Sequence, residues 1–61
     1  MVQTMTILLH TTESENFEIF SVDQTGNRTL LAVLHFSNLK IAREIADLIV
    51  KNHHLVGFTE D

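Results

Sequence analysis

Residues 17–36 read FEIFSVDQTGNRTLLAVLHF, and the fold turns on this stretch. At its centre stands Asp23-Gln24-Thr25-Gly26. Aspartate in the first position and glycine in the fourth suit a type I turn. With Gly26 in the left-handed region, this predicts a three-residue hairpin loop with a bulge between two strands, Phe17–Val22 and Arg28–Phe36. The expected register sets Asp23 opposite Asn27, Phe20 opposite Leu30, Ile19 opposite Leu31 and Phe17 opposite Val33.

That register sorts the hairpin into two faces. One carries Phe20, Val22, Leu30, Ala32, Leu34 and Phe36, with Glu18 as the polar exception. The other carries Phe17, Ile19, Leu31 and Val33 with Ser21, Thr29 and His35. Both faces are apolar over much of their length, whereas an antiparallel sheet with one wet face alternates more cleanly.

Upstream, residues 2–10 are rich in threonine and branched aliphatics. Met5, Ile7 and Leu9 fall on one side at a period of two, with Thr4, Thr6, Leu8 and His10 on the other. Such alternation predicts a strand. The polar run Thr11–Asn16 predicts an exposed loop. Thr12 and Glu15 have the spacing of a helix capping box, but no helical apolar pattern follows, so no helix is expected there.

Downstream, the period becomes helical. Ser37 is the expected N-cap. Phe36 and Ile41 are spaced for a hydrophobic staple that would fold the helix back over the Phe20 face. A helix is expected from about Asn38 to about His53. Lys40, Arg43, Glu44, Asp47 and Lys51 share one stripe, with possible i,i+4 pairs Lys40–Glu44, Arg43–Asp47 and Asp47–Lys51. The remaining apolar arc is about 200°, against little more than 100° for a typical surface helix. Leu55-Val56-Gly57-Phe58 forms an apolar tail, expected beside the helix or along a sheet edge, with fraying at the last residues. The fold class expected is α+β: a three-stranded antiparallel meander, one long C-terminal helix on one sheet face, and a short apolar tail, in a single domain over residues 1–61.

With 61 residues, such a chain buries only roughly 60% of its unfolded surface. The absence of cysteine excludes disulfides and thiolate zinc sites. Packing and oligomerisation are left as sources of stability. The composition, 44% hydrophobic and 20% charged, is that of a folded domain. No basic region precedes an apolar stretch near Met1, and no apolar run approaches the roughly 20 residues of a membrane span, so a cytoplasmic location without membrane insertion is expected.

The net charge of −4 argues against nucleic acid and anionic membrane as partners. A nucleic-acid module, as an alternative, would have to use Arg28, Lys40, Arg43 and Lys51. Four histidines, His10, His35, His53 and His54, lack zinc-ligand spacing; His53 and His54 suit the helix C-terminus, where a cation complements the dipole. Glu13, Glu15, Glu18 and Asp23 lack the pattern of a calcium loop and read as a solvated surface. No serine is tied by spacing to a histidine, and glycine-rich phosphate motifs are absent. No cofactor or catalytic residue is therefore expected. An enzyme would need a site formed between subunits, around His35 or His10 with a carboxylate of perturbed pKa.

Apolar surface exceeds what one sheet and one helix can hide, and monomers rarely leave large apolar patches exposed. The expected function is a non-enzymatic interaction or regulatory module that forms a homodimer or meets a protein partner. Its expected interface is Phe17, Ile19, Leu31 and Val33, with His35 at the rim.

Overall fold

A computed structural model describes residues 5–61. The chain runs β1 (Thr6–Glu13), β2 (Asn16–Val22), β3 (Arg28–Leu34), α1 (Leu39–Asn52) and β4 (Phe58–Glu60). The class is α+β, as the sequence predicts. The sheet, however, has four strands in the order β3-β2-β1-β4. β1–β2 and β2–β3 are antiparallel, and β4 adds a parallel strand against β1. The meander is thus only part of a mixed sheet.

β1 continues through most of the segment expected as a loop, leaving a tight turn at Ser14-Glu15. Residues 2–4, expected to begin this strand, lie outside the described residues. A register shift between Thr11 and Glu13 bends the end of β1. Glu15 takes a left-handed φ of 71°. Its carbonyl accepts from the Ser37 N–H at 2.8 Å, which fastens the β3–α1 link to this turn.

The Asp23 turn forms as its residues require. Gly26 has φ 89°, and its N–H donates to the Asp23 carbonyl at 3.0 Å. The Asp23 carboxylate also accepts from the N–H groups of Thr25 and Asn27 and from the Thr25 hydroxyl. Those bonds, first the one from the Thr25 side chain and then that from Asn27, hold its pKa below the ordinary value. Asp23 N–H to the Asn27 carbonyl confirms the expected pairing there.

Farther from the turn the expected register fails. Phe20 does face Leu30, but Ile19 faces Ala32 and Phe17 faces Leu34. Leu31 is the extra residue of a bulge, and a one-residue slip exchanges every later side chain between faces. Ala32 and Leu34 therefore join Phe17 and Ile19 on one side, while Val33 lies opposite Glu18 on the other.

The helix covers the face opposite to the one expected. Ala42, Ala46 and Val50, one stripe at i, i+4 and i+8, pack with Ile7, Leu9, Phe17 and Ile19 to form the core. Small residues on this stripe let the helix approach the sheet closely. Asn38, rather than Ser37, is the N-cap, and its side chain accepts from the Ile41 N–H at 2.9 Å. Phe36 is almost fully exposed, so the expected staple with Ile41 does not form. At the other end His54 adopts φ 55°, His54 N–H reaches the Lys51 carbonyl and Leu55 N–H that of Val50. This is a Schellman closure with histidine where glycine is usual. It turns the chain so that β4 lies along β1. The last residue is bonded, not frayed: Asp61 N–H donates to the Leu9 carbonyl at 2.9 Å, and Thr11 N–H to the Asp61 carbonyl at 3.2 Å.

Candidate protein-interaction surface

The five residues expected at an interface separate in space. Phe17 and Ile19 are 5% and 0% exposed, enclosed by the chain's own helix, and offer nothing to a partner. Leu31 and Val33 remain 47% and 42% exposed, and His35 is exposed as well. The bulge divides these two apolar residues: Leu31 is on the helix side with Ile49, His53 and Leu55, and Val33 on the open side beside Glu18. What unites them is the edge strand β3, not a common face. Leu30, 50% exposed, completes an apolar run on that strand. Ile41 and Leu48 on the helix, with Phe36 and Val56, are further exposed apolar groups that the sequence reading did not assign to an interface.

The helix rests on β1 and β4, to one side of the sheet. A cleft of about 280 Å³ remains toward β3, walled by Ile7, Ser21, Leu31, Ile49, His53 and Leu55. Its lining is apolar apart from Ser21 and His53, and the structure gives no hydrogen bond between those two. On the opposite side of the sheet, Phe20, Val22, Leu30 and Val33 lie around the buried Leu8, with Glu18 and His10 among them.

The two sheet edges differ. β4 is three residues long, and its end is charged. The Arg43 guanidinium grips the Glu60 carboxylate with two bonds, Nε to Oε1 and Nη2 to Oε2, the latter at 3.1 Å. That contact lowers the Glu60 pKa and raises that of Arg43. Asp61 Oδ2 lies 3.3 Å from His10 Nδ1, without the alignment of a hydrogen bond. β3 by contrast runs seven residues with Arg28 as its one charge.

Of the four cations of the nucleic-acid alternative, Arg43 is held by Glu60, and Lys51 pairs with Asp47 at 2.9 Å. The expected Arg43–Asp47 pair is replaced by the bond to Glu60. Arg28 and Lys40 make no ion pair among the described residues. His53 and His54 stand at the helix C-terminus as expected, and His10 and His35 lie elsewhere. Among the described residues no three His, Cys, Asp or Glu side chains converge as metal ligands. No helix of the described residues is long and apolar enough to cross a membrane.

Comparison with known proteins finds no matching family model, no matching curated protein and no matching solved structure.

Proposed function

We propose that this chain is a non-enzymatic protein-interaction module that works as a homodimer. One observation carries the reading: β3 presents Leu30, Leu31 and Val33, each more than two-fifths exposed, on a strand whose outer edge has no partner among the described residues. An unpaired edge of this length, with Arg28 at its start as its one charge, is a template for a further strand. Exposed apolar groups on the helix flank enlarge the surface that gains from being covered.

Leu31→Asp tests the proposal. Leu31 is half exposed and outside the packed core, so the variant keeps the monomer fold by circular dichroism. Light scattering is expected to give a dimer for the wild-type chain and a monomer for the variant. A wild-type mass that stays at 7.0 kDa at all concentrations refutes self-association, and a folded dimer of the variant refutes the role of β3.

A further inference from the structure

Given the self-association proposed above, on which this step rests, we infer that the second copy adds to the β3 edge as an antiparallel strand in one register. In that register Leu30 lies opposite Val33 of the second copy and Leu31 opposite Ala32 of the second copy. The result is a continuous eight-stranded sheet with both helices on the same side.

The bulge selects the register. Directly opposed residues in a sheet share a face. A regular strand that pairs antiparallel with its own copy therefore matches residues of the same parity. In β3 the extra residue at Leu31 reverses the parity halfway along. Arg28 and Leu30 point to the open side in its first half, and Val33 does so in its second. Thr29, opposite buried Ser21, points to the helix side, as do Ala32 and Leu34. Only odd-sum registers then bring like faces together. Pairing Leu30 with Val33, Leu31 with Ala32 and Thr29 with Leu34 matches every pair across the two copies. It also centres the two-fold axis on the exposed apolar run, so that Leu30, Leu31 and Val33 of one copy lie against the same run of the other. A symmetric interface requires this kind of self-complementarity. The other edge is closed to the same addition by its shortness and by Glu60 and Asp61. Beyond the strand, the same register carries Phe36, 89% exposed, toward the second copy's Asp23–Asn27 turn.

Cysteine cross-linking reads the register directly, because the native chain has no cysteine. Opposed residues have Cα atoms about 4.5–5.5 Å apart, within disulfide reach. Like residues, Leu30 with its own counterpart, are offset by three positions, about 10 Å, and beyond it. Leu30→Cys and Val33→Cys chains are purified separately, checked for fold by circular dichroism, mixed in reductant and then oxidised. The expected product is a mixed disulfide of one Leu30→Cys and one Val33→Cys chain, identified by mass, while each variant oxidised alone stays unlinked. Equal linkage of the variants alone, or no linkage in chains that light scattering shows to be dimeric, overturns the register and leaves the homodimer standing. A wild-type chain that is monomeric overturns both.

Discussion

Two capping residues stand side by side before the helix, Ser37 and Asn38, and the Asn38 carboxamide oxygen is the one that accepts from the Ile41 N–H. Ser37 is turned to other work, its N–H donating to the Glu15 carbonyl. Replacing Asn38 by alanine is therefore expected to cost about 1 kcal/mol in urea unfolding, the usual loss for a cap. Ser37→Ala is expected to stay within about 0.5 kcal/mol. The reverse ranking would assign the cap to Ser37. Both side chains suit the position, so the sequence could not choose between them. The choice follows from where the link is pinned, by Glu15 and by the Asn16 side chain, which accepts from the Phe36 N–H. The Asp23 turn shows the opposite case. Its carboxylate, glycine and hydroxyl all favour one geometry locally, and its conformation was legible in full.

Among the elements, β4 pairs with β1 through its backbone and is tied to the helix by the bidentate Arg43–Glu60 pair. The Glu60 pKa is lowered in the fold, so its contribution is present above the ordinary glutamate value and lost as pH falls through and below it. Glu60→Gln is expected to lower the urea midpoint at neutral pH and to converge with the wild type as the solution is acidified below about pH 4. A constant gap between the two curves at all pH values would mean that the charge of Glu60 contributes nothing. β3 shows why element boundaries were easier to read than pairing. Leu30-Leu31-Ala32-Val33-Leu34 is apolar throughout, so shifting it by one residue changes no polarity on either face, and nothing in the run marks the bulge. The same uniform polarity hides which face of the hairpin lies beneath the helix. Its signature lies in the helix, where Ala42 and Ala46 are the residues small enough for close contact, while Ile41 and Leu48 face outward.

For the whole molecule, the apolar excess was legible and its location was not. Composition and periodicity report how much surface is apolar, but the excess collects at β3 only because β4 occupies the other edge and draws the helix over β1. That parallel pairing joins residues some fifty positions apart and leaves no local trace in the chain. A domain this small has little buried surface to spare, and a second copy supplies more of it. Amide hydrogen exchange across Arg28–Leu34 tests this most directly. The outward amides of β3 are expected to become protected as protein concentration rises, in step with the dimer mass. Exchange at the rate of an open edge, unchanged from dilute to concentrated solution, would contradict a β3-mediated dimer.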